Sequence, residues 1–318
     1  MVETEEASIR AFAALSSTGG SGGVLDIFYD EWKMKLACDP SLFAITTQLW
    51  KAAYCHAGEA QESLSKDDQH RWHPFGAIDP SKGYVYIDRI GYRLPTELST
   101  KLGNTINGHK KKKLRPLQRS LTPHLDCCPE SMYSNISKWR PIQCFVALTD
   151  TMQPNTGGFE AAPGFHRTFD DWTKNRQPTT VAQNGITKEV SPPCVGAYTH
   201  IRPQEDADVM KQVTHVSVPA GSVVFWDNRI PHANAYRHDG LSPRVVVYCS
   251  LLPDLELNRS YVRKQLQDWT SGVPPRDQWN NIQQDDQVLS AGTGMDSLTP
   301  LGRKLMGVDD WESTHDKY

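Results

Sequence analysis

The chemistry-bearing residues concentrate at Thr122-Pro123-His124-Leu125-Asp126, where an imidazole and a carboxylate stand two positions apart. In an extended segment side chains at i and i+2 leave the same face, so both groups can reach one point in space. A third candidate ligand is His232, which closes Trp226-Asp227-Asn228-Arg229-Ile230-Pro231-His232 just after a run, Gly221 to Trp226, that reads as a buried strand. Two neutral imidazoles and one carboxylate on one side of a metal leave the opposite side open. That facial triad suits non-haem Fe(II) and O2 chemistry. Cys127 and Cys128 follow the carboxylate directly, but thiolates favour zinc or iron–sulfur sites and the pair lacks CxxC spacing, so they read as small packing residues. His166 reads as structural, closing a Pro-Gly turn, and His200 and His215 as surface or edge residues.

Several elements must hold such a triad. At 318 residues with 38% hydrophobic residues, the chain can bury one core with appendages. A net charge of -3 gives no general attraction to polyanions. The seven cysteines are scattered, without the spacing of a disulfide framework, which fits a reducing compartment. No apolar run reaches membrane-spanning length, and Met1-Val2-Glu3-Thr4-Glu5-Glu6 opens with acids where a secretory signal carries positive charge, so a cytoplasmic protein is expected.

Residues 1–22 end in a Gly/Ser-rich patch and read as a flexible arm. Helical spacing of apolar residues follows over 24–37 and 40–57, and Gly83 to Leu94 is rich in strand formers. Leu117 to Asp126 reads as the metal strand. In Pro141 to Thr149 the residues Gln143, Phe145, Ala147 and Thr149 share one face and line a pocket. A short helix is expected over 168–176, a long polar insertion over 177–212, closing strands over 213–218, 222–226 and 244–252, and helices over 254–269 and 300–306. The basic run Lys110 to Arg115, with Arg119 and Arg93, brings positive charge to the strands flanking the ligands and suggests an anionic substrate.

The ordered elements carry a resemblance. His124-x-Asp126, then Phe145-Val146-Ala147-Leu148-Thr149-Asp150, then Asn155-x-Gly157-Gly158-x(4)-Pro163-Gly164-x-His166, then His232 and Arg244, together resemble the phytanoyl-CoA dioxygenase-like branch of the Fe(II)/2-oxoglutarate-dependent oxygenases over residues 83–252. The family pattern usually has Ser where this chain has Phe165. The resemblance implies a mainly β chain, a double-stranded β-helix (jelly roll) with flanking α-helices, organised as one oxygenase domain over 23–318. It implies Fe(II), 2-oxoglutarate and O2 as cofactors, with ascorbate as an accessory reductant. It gives Arg244 the role of clamping the distal carboxylate of 2-oxoglutarate, a task that suits a planar guanidinium. Gln143, Phe145 and Asn234 then line the cosubstrate, and Arg93 and Arg119 are candidate substrate residues.

The expected reaction oxidises a C–H bond of a small, carboxylate-bearing metabolite of secondary metabolism by hydroxylation, desaturation or ring closure, with succinate and CO2 as co-products. Halogenation is disfavoured because halogenases of this type resemble the motif with a small residue in place of Asp126. Two other classes stay open: an oxygenase acting on nucleic acid or peptide, and a catalytically silent metal-binding jelly roll. A nucleic-acid enzyme would call for a broad basic stripe with interleaved aromatics, which a slightly acidic chain does not offer.

Overall fold

The computed structural model describes residues 2–15, 23–54, 56–107, 116–176, 180–183, 186–189, 194, 198–275 and 294–311. Helix α1 (Val2–Ala14) and strand β1 (Val24–Leu25) open the chain, followed by helices α2 (Glu31–Ala37) and α3 (Pro40–Ala53). Strands β2 (His56–Ala57), β3 (Trp72–His73), β4 (Gly83–Val85) and β5 (Ile90–Arg93) precede helix α4 (Thr96–Asn107). Next come β6 (His124–Leu125), β7 (Ile142–Ala147), β8 (Phe159–Ala161), helix α5 (Phe169–Asn175), and the hairpin β9 (Thr180–Gln183) and β10 (Ile186–Glu189). The C-terminal half continues with β11 (Thr199–His200), α6 (Ala207–Met210), β12 (Thr214–His215), β13 (Val223–Asp227) and β14 (His232–Asn234). It closes with β15 (Arg244–Tyr248), β16 (Leu251–Pro253), α7 (Glu256–Thr270) and α8 (Pro300–Leu305).

The architecture is mixed α/β, built on two open five-stranded antiparallel sheets. One runs β1-β5-β15-β7-β13 and the other β11-β6-β14-β8-β12. Period-2 alternation decides what lies between them. Phe145, Trp226 and Val246 from the first sheet share a buried cluster with Phe159 and Ala161 from the second, so the sheets face each other across these side chains. The opposite face of the first sheet has its own cover. Ile142 there joins Trp50, Trp139, Trp269 and Leu305 in a cluster to which α2, α3, α7 and α8 contribute. Local signals start these helices: the Asp39 carboxylate accepts hydrogen bonds from the Ser41 and Leu42 amides with Pro40 at the first turn, and Thr299 caps α8 ahead of Pro300.

Several expectations change in the structure. Within the stretch read as a flexible arm, Val2–Ala14 is helical and Arg10 hydrogen-bonds the Ile106 carbonyl at the end of α4, a helix absent from the sequence expectations; the Gly/Ser-rich residues 16–22 lie outside the described residues. The stretch Gly83 to Leu94 is two strands, because β4 pairs with β16 while β5 pairs with β1 and β15. The same break divides 244–252 into β15 and β16. The metal strand is only two residues long, with Asp126 just past its end. Part of the polar insertion is ordered, since β11 pairs with β6 and α6 follows it. The scattered cysteines conceal one bridge, Cys128–Cys194, which corrects the packing role expected for Cys128; Cys127 is buried as expected. Lys110 to Arg115 lie outside the described residues. Among the described residues no helix is long and apolar enough to cross a membrane.

Candidate metal centre

Two strands of one sheet present the histidines. His232 of β14 is the register partner of His124 of β6, so both rings leave the same face at the same level, with centroids 4.6 Å apart. Asp126 reaches back to this point from the bend beyond β6. Its Oδ1 lies 3.6 Å from His124 Nε2 and its Oδ2 lies 3.5 Å from His232 Nε2. One ligand atom from each of the three residues falls within 4.8 Å of the others. Donors roughly 2.1 Å from a common ion would be about 3.0–3.5 Å apart, so the side chains need only small rotations to enclose one.

The tautomers are set for ligation. His124 Nδ1 faces the Thr122 carbonyl at 3.2 Å, and His232 Nδ1 faces the Ile230 carbonyl at 2.9 Å. An Nδ1–H donated to a carbonyl leaves the Nε2 lone pair free to bind a cation. Burial, aided by the neighbouring His232, pushes His124 down to about 4, so that its ring is neutral at physiological pH. Burial alone would raise the Asp126 carboxyl; the His232 hydrogen bond, the two neighbouring imidazoles and the Arg140 guanidinium outweigh it, and the group is held well below the ordinary carboxylate range. The donor set is therefore two imidazole nitrogens and one carboxylate, a fit for a divalent metal with an open side.

A second polar group lies a short step along the same strand. Asn234 shares its face with His232, and its Oδ1 accepts a hydrogen bond from Arg244 Nη1, which reaches across from β15. Arg244 is buried, its Cζ lies 5.1 Å from the Phe145 ring centroid, and its Nη2 has no hydrogen-bond partner. Gln143 Nε2 on β7 is also buried and unpartnered. Phe145, Phe159 and Trp226 form an apolar wall beside this group and His232, the last two with ring centroids 5.9 Å and 5.2 Å from the imidazole. Arg93 is the register partner of Arg244 and is itself buried. It donates to Ser120 Oγ and the Tyr236 carbonyl, while its Nε is unsatisfied. Burial and the adjacent Arg244 both push the Arg93 guanidinium below its usual value, with Glu160 opposing them. Two buried guanidiniums side by side are expensive without an anion between or beside them.

Two turns of the motif have visible causes. Asn155 (φ 59°) and Gly157 (φ 71°) both adopt left-handed backbone, and a Cβ at Gly157 would come within 2.8 Å of the His238 ring. Gly164 (φ 83°) turns the chain so that Phe165 packs in the buried cluster with Leu125.

Not every expected site residue gathers here. His124, Asp126, His232, Gln143, Phe145, Asn234, Arg244 and Arg93 converge between the sheets. Arg119 is exposed and belongs to none of the named strands. His200 is the partner of His124 across β11 and β6, exposed at the sheet edge. Two neighbours of the triad went unread. Tyr198 stacks on His124 with centroids 4.7 Å apart and planes 23° from parallel. Arg140 Nη2 lies 3.7 Å from Asp126 Oδ2. An aromatic inside a polar insertion is the only hint the first offers; the second offers none, since its partner comes from another strand. Cys128, Glu130 and Cys194 form the other candidate metal cluster among the described residues, but there the two sulfurs are bonded to each other.

No curated protein matches the chain. Among solved structures, GlcNAc Inducible Gene 2 (DUF1479) of Candida albicans is similar with a TM-score of 0.65 at 15% identity, covering 99% of this chain and 73% of that one. A hypothetical protein of Escherichia coli gives 0.55 at 15% identity over 96% of this chain and 75% of that one. A Salmonella typhimurium LT2 protein provisionally named an oxidoreductase gives 0.52 at 14% identity over 96% and 75%. At such identities the likeness is one of fold. The Gig2-like family description covers residues 127–308, more than half of the sequence and including two strands of each sheet's centre, and the chain belongs to that family.

Proposed function

We propose that this protein is an Fe(II)/2-oxoglutarate-dependent oxygenase that oxidises a C–H bond of a small anionic metabolite. The observation that carries the reading is the spacing on β14: His232 and Asn234 leave one face two residues apart, so the metal donors and the Arg244 guanidinium lie roughly 6.6 Å apart along the strand. A five-carbon 2-keto dicarboxylate fits that interval, with its keto-acid end toward the triad and its distal carboxylate toward Arg244. The unpartnered Arg244 Nη2 and Gln143 Nε2 are the donors such a ligand would satisfy.

Bound Fe(II) would supply oxidising chemistry with O2, releasing succinate and CO2 from the keto acid. The chain's own residues do the rest. His124, Asp126 and His232 hold the metal from one side; Arg244 and Asn234 orient the keto acid; Phe145, Phe159 and Trp226 exclude water from the interval between them. Among the described residues the buried Arg93 supports an anionic substrate, whereas Arg119 is exposed. In this reading the two sheets are the halves of a jelly roll of the phytanoyl-CoA dioxygenase-like kind, residues 23–318 act as one oxygenase domain with its core over 83–252, and the enzyme works in the cytoplasm. The oxidoreductase designation of the Salmonella relative agrees with the reaction class. The test is succinate formation by Fe(II)-loaded protein given 2-oxoglutarate, with and without metabolite extract. Absence of 2-oxoglutarate binding in calorimetry with a redox-silent divalent ion would overturn the proposal.

A further inference from the structure

We infer that Arg140 is a positioning residue for the metal carboxylate, holding Asp126 to coordination through a single oxygen. The inference rests on the metal reading above. Arg140 stands just ahead of β7, and its guanidinium is fixed from three directions. Nη1 donates to Asp88 Oδ2 at 2.9 Å, Nη2 approaches Asp126 Oδ2 at 3.7 Å, and Cζ sits 4.4 Å from the centroid of the Tyr86 ring. Asp88 is itself anchored, since its Oδ1 accepts the Arg89 amide and its carbonyl takes the buried Lys33 ammonium. Tyr86 and Asp88 both lie in the connection between β4 and β5, so the chain Asp88–Arg140–Asp126 ties the first sheet's entry segment to the metal carboxylate on the second.

The chemistry follows from the fork. A guanidinium offers several N–H groups in one plane and can address two carboxylates at once, which an ammonium cannot do in fixed geometry. With the Arg140 charge 3.7 Å from Oδ2, an ion-pair distance, Oδ1 is the better donor to a cation. A carboxylate kept to one oxygen uses one coordination position; if it swung to two, it would fill a position that the cosubstrate or O2 needs. Outer partners of this kind orient ligands, and losing one typically costs about 10–100-fold in metal affinity.

A bystander charge makes the opposite prediction. Removing a cation from beside a divalent metal should tighten metal binding, and a change at Asp88 that keeps Arg140 should do little. The experiment therefore measures Co(II) affinity and the Co(II) visible spectrum of the full chain in the wild type, Arg140→Met, Arg140→Lys and Asp88→Asn. Positioning predicts that Co(II) binds about 10–100-fold more weakly in Arg140→Met, at least several-fold more weakly in Asp88→Asn, with an altered spectrum in both, and that Lys does not restore the wild type. Tighter Co(II) in Arg140→Met with an unchanged Asp88→Asn, or wild-type affinity and spectrum in both, overturns it. Should Arg140→Met fail to fold, Asp88→Asn and Arg140→Lys decide the question on the same criteria. A wild-type protein that binds no Co(II) refutes the metal reading itself, a distinct result.

Discussion

Replacing Arg244 by Met should move two measurements in opposite directions. In the metal-free, ligand-free protein this arginine is buried beside a second buried arginine, Arg93, in direct register across β5 and β15. Taking the separation as the roughly 5.5 Å spacing of register partners on neighbouring strands, two like charges at an effective dielectric constant of about 20 repel by roughly 3 kcal/mol. Met is close to Arg in length and can lie against the Phe145 ring, so the loss of the Asn234 and Tyr248 interactions, about 1–2 kcal/mol together, is the main opposing cost. The apo protein should therefore be as stable or more stable by roughly 1–2 kcal/mol, a rise of a few degrees in Tm for a chain of this size. The affinity for 2-oxoglutarate should fall by about 2–5 kcal/mol, at least ~30-fold, because a buried charge partner is removed. Thermal scans with and without 2-oxoglutarate, in the presence of Mn(II), read both quantities from one sample. A destabilised apo variant that still gains the wild-type shift on adding 2-oxoglutarate would refute the clamp and the strain reasoning together.

Alanine at His124, Asp126 or His232 should abolish succinate formation and lower metal content measured by elemental analysis, while circular dichroism stays native; a fully metallated variant would remove that residue from the triad. Asp227→Asn should cost about 3–5 kcal/mol in chemical denaturation, because Arg229, which is buried and ion-paired to Asp227 at 2.7 Å, would lose its partner, and the turn between β13 and β14 that leads to His232 would shift with it. A loss below about 1 kcal/mol would show that the face of the Tyr54 ring and the His70 carbonyl suffice for Arg229. His73 is buried among Tyr54, Phe75 and Trp139, and burial lowers its ring below the usual imidazole value. The unfolded chain, titrating near 6.5, then binds more protons than the folded one, so stability present above that pH is lost as pH falls below it. His73→Phe should flatten this acid-side slope in urea midpoints taken between pH 7 and 5; an unchanged slope would assign the titration to other imidazoles.

Much of the site was legible because each piece had a local signature. The i, i+2 spacing of His124 and Asp126 does not depend on which strands pair, and the alternation along Ile142–Ala147 already put Gln143 and Phe145 on one face. His232 and Arg244 were found by spacing in a resemblance, and their convergence then required the pairing of β14 with β6 and the reach of Arg244 to Asn234. What escaped were contacts made only by tertiary structure. Arg140 precedes its strand by two residues and meets Asp126 from another sheet; no periodicity marks such a pair. Tyr198 is placed over His124 by a two-residue strand too short to give an alternation signal. Helix α4 was hidden by polar composition, with Gly103 and three Thr residues among its twelve. The division of Gly83 to Leu94 between two sheets was also invisible, since strand propensity reports extended backbone and not its partner.

The Cys128–Cys194 bridge has a bearing on how long the protein survives. It joins the residue two past Asp126 to the segment that delivers Tyr198, closing a loop across a sequence separation of 66. Loop closure of that size removes about 4 kcal/mol worth of disorder from the unfolded chain in the entropic account. That contribution exists only while the sulfurs are joined, and a glutathione-rich milieu keeps thiols apart. The same polypeptide would thus meet a protease with two stabilities: the tied chain where thiols are oxidised, and a chain about 4 kcal/mol less stable where they are reduced. The redox poise of its surroundings would then set the turnover of the molecule before any substrate is met.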